Sequence, residues 1–275
     1  MTMYDHIIVP FDGTPRSLGA SLIGADFSRI FDARLLVLTA SGADSSSSMA
    51  QLKERAMAMS GESIDVWVEA ERRPARAVGI AVSYRPKAFV CMATHARTGL
   101  KRLMFGSVAE QIIRESDDPV LLLGPECNFR DPADLRQVIV CLDGTPTAES
   151  AVPLAGAWAN TLGIRCLLLH SRVRGAPGPE PDLDRYQQTL AGICPVEMLH
   201  VDTTKAVDGI VEVARHATGS LLVMATHGRT GLDRFRNGSA VVDVVRQSPI
   251  PVLVQRGDMS AGLDYLQSEV APGGE

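Results

Sequence analysis

Short, unbroken apolar runs alternate along this chain with longer amphipathic stretches. In the first half the runs are IIVPF, LLVLTA, AFVCMAT and VLLLG, and in the second VIVCL, CLLLH, LLVMAT and PVLVQ. Continuous branched runs, as opposed to strictly alternating ones, mark strands covered on both faces. Between them lie helix-like segments: SLGASLIGADFSRIF (17–31), QLKERAMAM (51–59), ARAVGIAVSY (75–84) and SVAEQIIRES (107–116). The second half has ESAVPLAGAWANTL (149–162), DRYQQTLAG (184–192), AVDGIVEVARHA (206–217) and SAVVDVVRQS (239–248). A weaker strand follows each second helix, IDVWVEA (64–70) and PVEMLHVD (195–202), which makes five strands per half. Alternating strands and helices predict an α/β fold, in each half a five-stranded parallel sheet with helices on both faces. The connections GADSSSSM (42–49) and RGAPGPEPD (174–182) read as mobile surface loops.

The pattern is duplicated. Residues 91–108, CMATHARTGLKRLMFGSV, correspond to residues 223–240, VMATHGRTGLDRFRNGSA, at an offset of 132. HIIVPFDGTPRS (6–17) corresponds to VIVCLDGTPTAES (138–150), placing Asp12 opposite Asp143 at an offset of 131. DDPVLLLG (117–124) answers IPVLVQRG (250–257), with Pro119 opposite Pro251. A repeat of this length predicts two similar domains, 1–127 and 134–258, each large enough for a core, with a polar tail over 259–275.

Composition narrows the function. At 45% hydrophobic and 21% charged residues, with a net charge of -5, the chain has the make-up of an ordinary globular protein. Its cations are spread among acids with no basic run, so no nucleic-acid partner is expected. No apolar stretch approaches the ~20 residues needed to span a bilayer, and neither a leader nor a membrane partner is expected. The five cysteines (91, 127, 141, 166 and 194) show no CxxC spacing, which predicts neither a disulfide framework nor a zinc site and suits a reducing cytoplasm.

The candidate chemistry lies in the repeated turn. In an open parallel sheet, ligands gather outside the carboxyl ends of the strands where strand order reverses. ATHxRTG begins where the fourth strand of each half ends; Gly106-Ser107 and Gly238-Ser239 follow, and then a helix. The first-turn amides of a helix lack intrahelical acceptors and carry partial positive charge, which makes a natural anion seat. Ser107 with Glu110 is also a capping box that needs no ligand. Asp12 and Asp143 end the first strand of each half in a DGTP turn, where a carboxylate could accept from a ribose hydroxyl or an adenine amino group, or simply cap the turn. Arg97, Lys101, Arg102, Arg229, Arg234 and Arg236 are candidates to neutralise phosphates, or solvated loop charges.

With this combination the chain resembles the universal stress protein family in its tandem two-domain form. The family's nucleotide pattern, Gly, two residues, Gly, nine residues, then Gly-Ser or Gly-Thr, maps onto Ala225, Gly228, Gly238 and Ser239, and onto Ala93, Ala96, Gly106 and Ser107. The resemblance implies two Rossmann-like (adenine nucleotide alpha hydrolase-like) domains that bind ATP, with or without Mg2+. Adenine would lie near Asp12 with Ala40, and near Asp143 with Ser171. Pro10 belongs to the same adenine side, where the second half has Cys141. The phosphates would meet His95, Ala96, Arg97, Gly106, Ser107 and Val108 in the first half, and His227, Gly228, Arg229, Gly238, Ser239 and Ala240 in the second. The last strands of the two halves are implied to meet in an intramolecular pseudo-dimer, with further homodimerisation and an unidentified protein partner open.

Ala96 stands where the family has glycine, so the second half is expected to bind more tightly. There is no GxxxxGK[ST] loop and no GxGxxG fingerprint. His95 and His227 are candidates for general acid or base chemistry, yet no acidic pair for magnesium accompanies them. The leading expectation is a non-enzymatic ATP-binding stress or signalling module with at most weak ATP hydrolysis. The alternatives are an ATP-independent dimeric adaptor and a slow ATP hydrolase.

Overall fold

Among the described residues ten strands form a single sheet. They are β1 (His6–Pro10), β2 (Arg34–Ala40), β3 (Asp65–Glu69), β4 (Ala88–Ala93), β5 (Val120–Leu123), β6 (Gln137–Leu142), β7 (Arg165–Val173), β8 (Val196–Thr203), β9 (Ser220–Thr226) and β10 (Val252–Arg256). The computed structural model describes residues 2–40, 65–69, 73–94, 107–116, 118–175, 178–226 and 240–257. The expected helix over 51–59, the loop 42–49 and the tail 259–275 lie outside the described residues.

The strand order is β3-β2-β1-β4-β5-β10-β9-β6-β7-β8. All pairings within a half are parallel. The halves join where β10 runs antiparallel to β5, with Val252 opposite Leu122, Leu253 opposite Leu121 and Val254 opposite Val120. Each is its half's last strand, and pairing them removes an apolar open edge from both.

Among the described residues eight helices flank the sheet: α1 (Pro15–Phe31), α2 (Pro74–Ser83), α3 (Ser107–Glu115), α4 (Pro146–Glu149), α5 (Ala151–Leu162), α6 (Leu183–Leu190), α7 (Ala206–His216) and α8 (Ala240–Gln247). Successive strand residues point to opposite faces. Ile7, Val9, Val138 and Val140 therefore pack with α1, α5 and α6, whereas Ile8, Ile139 and Cys141 pack with α2, α3, α7 and α8. Each apolar layer runs without a break from one half into the other. At the junction Trp158 of α5 meets Phe27 of α1 with ring centroids 5.3 Å apart and planes at 70°, and it also packs on Phe31 and Phe89. Its indole Nε1 donates to the buried Tyr4 hydroxyl at 2.8 Å.

The expected helix 149–162 begins earlier and is broken. Thr145 caps α4 by accepting from the Ala148 amide at 3.2 Å, and a new helix starts after Ser150. Pro153 has no amide to offer the carbonyl four residues back, so Glu149 cannot be carried into α5. Its counterpart position in α1 is Leu22, and that helix runs unbroken for 17 residues.

Candidate functional site

Strand order reverses between β1 and β4 in the first half and between β6 and β9 in the second. β1 stays paired with β2 as far as Pro10–Leu38 but with β4 only as far as Ile8–Val90. β4 meanwhile continues beside β5 to Ala93–Leu123. The second half repeats this register: β6 follows β7 to Leu142–His170 but β9 only to Val140–Val223, and β9 follows β10 to Thr226–Arg256. In both halves the two central strands part at their carboxyl ends, the place where open α/β sheets hold ligands. Pro10 and Ala93 end the strands flanking the first crevice; Leu142 and Thr226, with Ala225 before it, end those flanking the second.

The strand-to-helix turns are built alike. Asp12 Oδ1 accepts from the Thr14 amide at 3.1 Å and from its hydroxyl at 2.7 Å; Asp143 Oδ1 accepts from Thr145 at 2.9 and 2.6 Å. Each threonine then caps the following helix. Gly13 and Gly144 hold the turn at φ +83° and +78°, a region costly for a residue with a β-carbon. Both aspartates are exposed at the rim.

Beyond the turn, Ala40 ends β2, and Ser171 occupies the equivalent register position in β7. β7 outruns β6 by three residues, Ser171 to Val173, leaving the β6-facing backbone edge of that stretch outside the β6–β7 ladder. The Ser171 side chain is buried against α7, where a β-carbon on Gly209 would come within 2.2 Å of its Oγ. On the other side of the crevices, α3 begins at Ser107, with Val108 half-buried, and α8 begins at Ala240. Ala93 and Ala225 lie at or next to the strand ends that lead toward those helices. His95, Ala96, Arg97, Gly106, His227, Gly228, Arg229, Gly238 and Ser239 lie outside the described residues, as do Lys101, Arg102, Arg234 and Arg236.

Two features beside Asp143 escape sequence reading. His170 is buried, its Nδ1 has no hydrogen-bond partner among the described residues, and its ring meets His200 of β8 edge-on at 5.5 Å. Burial, and then the neighbouring His200, hold its imidazole below the ordinary histidine range. The signal available in the sequence is a histidine closing an apolar run, CLLLH. The second feature is the loop after β7, expected to be mobile. Pro179 and Glu180 instead lie against the turn, so close that a β-carbon on Gly144 would sit 2.7 Å from the Pro179 carbonyl carbon. Glu180 also pairs with Arg172 at 3.6 Å, and Asp182 caps α6 by accepting from the Arg185 amide at 3.0 Å. Cys141, buried in β6, has its thiol pushed up to about 12 by burial and then by Asp143, which leaves it an inert packing group.

The model of the universal stress protein family matches residues 88–124 and 135–256, more than half of the chain. The chain belongs to this family. Universal stress protein Rv2005c of Mycobacterium tuberculosis is 26% identical over 181 residues, which cover 61% of each chain. The chain thus spans about three fifths of that relative's length. Among solved structures, a universal stress protein from Archaeoglobus fulgidus superposes with a TM-score of 0.69 at 18% identity, covering 92% of this chain and 98% of that one. A universal stress protein from Pseudomonas aeruginosa reaches 0.60 at 15% identity, covering 96% and 98%. These establish the fold of the tandem universal stress proteins. Among the described residues no three His, Cys, Asp or Glu side chains are grouped to hold a metal ion, and no helix is long and apolar enough to cross a membrane.

Proposed function

We propose that this universal stress protein is a cytoplasmic ATP-binding module with its principal site in the second half, at the crevice between β6 and β9. The observation that carries the reading is the duplicated register break: in each half the central strands part beside an Asp-centred turn, with a helix starting across the gap. Asp143 engages its turn through Oδ1, leaving Oδ2 to meet a ribose hydroxyl. The backbone edge of Ser171 to Val173 beyond the ladder offers an amide and a carbonyl to the adenine edge. The phosphates would be cradled by His227, Gly228, Arg229, Gly238 and Ser239 and by the first-turn amides of α8 from Ala240. Pro10, Asp12, Ala40, Ala93, His95, Ala96, Arg97, Gly106, Ser107 and Val108 would form the weaker counterpart.

The two units, 1–127 and 134–258, act as a pseudo-dimer joined through β5 and β10. The nucleotide biases loop conformation, not chemistry, and can do so only by its differential affinity for the two states. If Gly228 takes a left-handed conformation on binding, an alanine β-carbon there costs about 1–2 kcal/mol, roughly a five- to thirtyfold weakening. Titration of wild type, Asp143→Ala and Gly228→Ala with ATP tests this. Saturable binding weakened in both variants is expected; unchanged affinity in Gly228→Ala removes the asymmetry between halves.

A second reading, an ATP-independent adaptor, is favoured by one observation, the packing of Pro179 and Glu180 over Gly144. In that case the loop closes the adenine side permanently, and ATP does not bind.

A further inference from the structure

The cysteines that show no motif spacing in sequence are not all isolated in space. Cys166, the second residue of β7, is fully buried; Cys194 lies half-buried in the turn between α6 and β8. The Cys166 amide donates to the Pro195 carbonyl at 2.8 Å, and Cys166 is opposite Val196 in the ladder, so the residues on either side of this contact are held at strand spacing. A disulfide requires Cα atoms within about 7 Å and facing β-carbons. Cys166 belongs to the apolar layer that Cys194 packs against, and the two thiols are near enough to perturb one another. The neighbouring thiol and burial raise buried Cys166, whereas Cys194, the more accessible of the two, is lowered by its neighbour. Cys91 and Cys127 also influence each other, but among the described residues no strand ladder holds them together. Cys91 is buried with its thiol on the Ala20 carbonyl at 3.6 Å, Cys141 is buried in β6, and burial raises Cys127.

We propose that Cys194 and Cys166 are an oxidant-responsive pair, forming a reversible disulfide when the protein meets a hydroperoxide. The Cys194 thiolate sulfur attacks one peroxide oxygen and the O–O bond breaks. The far oxygen leaves after taking a proton, as water from hydrogen peroxide or as the alcohol from an organic hydroperoxide, and Cys194 becomes a sulfenic acid. The Cys166 sulfur then attacks the Cys194 sulfur, the S–O bond breaks, and hydroxide departs with the Cys166 proton as water. The two electrons that reduce the peroxide come from the two sulfurs as the S–S bond forms, and a dithiol reductant reverses the change. The bridge would tie the start of β7 to the turn leading into β8, the outermost strand, at the sheet end opposite the nucleotide crevice. It closes a long loop of chain, so the oxidised form should unfold several degrees higher than the reduced form if the bridge is unstrained.

The test exposes the full chain to hydrogen peroxide, blocks remaining thiols and maps peptides by mass spectrometry. The expected result is loss of two of the five free thiols, a peptide linking Cys166 to Cys194, and recovery of both thiols with dithiothreitol. Cys194→Ser should abolish the link and Cys127→Ser should leave it. Cys194 left unreacted, driven to sulfinic acid without a cross-link, or joined to a second chain instead of Cys166 would overturn the proposal, and the wild-type map alone decides it should a variant misfold.

Discussion

Gly144 combines a φ of +78° with the backbone of Pro179 and Glu180 packed onto its α-carbon, whereas Gly13 takes +83° with nothing among the described residues within 4 Å of where a β-carbon would sit. Gly13→Ala should therefore cost only the left-handed conformation, about 1–2 kcal/mol. Gly144→Ala should cost more, because the loop must also move away; urea denaturation of the two variants gives the comparison. His170 supplies a pH signature. Its folded-state pKa lies below the unfolded value because burial and His200 disfavour its charge, while Glu180 and Asp143 partly offset this and Arg172 adds to it. The unfolded chain takes up the proton first, so stability is full above the ordinary histidine pKa of about 6.5 and falls as pH drops through it toward the lower folded value. His170→Phe should flatten that decline in a denaturation series taken across the window; an unchanged slope would assign it to other groups. The aspartates were readable in sequence because the whole DGTP turn is contiguous. The environment of His170 was not, since β8 and the 178–182 loop create it from residues far along the chain.

The inner strands were legible because both their faces are covered, so each reads as an unbroken apolar run. β8 is a weak run and the most exposed of the strands whose burial is described, with Met198 and Leu199 open to solvent at the sheet edge. The break between α4 and α5 was written in Pro153 but masked by the apolar periodicity on both sides of it. A further duplicated device went unread: Ser116 and Ser248 each accept from an amide two residues on and donate to that residue's carbonyl, setting the turn into β5 and β10. Its local pattern, a serine shortly before a proline, is too short to stand out. The contact between α1 and α5 depends on Tyr4, whose hydroxyl is the acceptor for the Trp158 indole. Tyr4→Phe leaves that buried N–H unpaired and should lower stability by about 1–3 kcal/mol in chemical denaturation; no loss would mean the indole finds another acceptor.

Across the whole molecule the repeat predicts two units, yet the apolar layers on both faces of the sheet are continuous from one half to the other. Arg256 reaches from β10 across to the Ser116 carbonyl at the end of α3. A β-carbon on Gly124 would collide with the Val245 carbonyl of α8, so the halves also approach backbone to backbone. Unfolding should accordingly be a single transition, coincident by far-ultraviolet circular dichroism and by tryptophan fluorescence. Two separated transitions would mean that each half is stable alone.

Calorimetric titration of ATP into the full chain and into Gly238→Val, backed by the nucleotide content of the purified protein, bears most directly on what this molecule does. A nucleotide site in the second half predicts copurifying ATP or micromolar saturable binding that the valine abolishes. Absence of binding at millimolar ATP would contradict it and leave the adaptor, with its adenine side closed by the 178–182 loop.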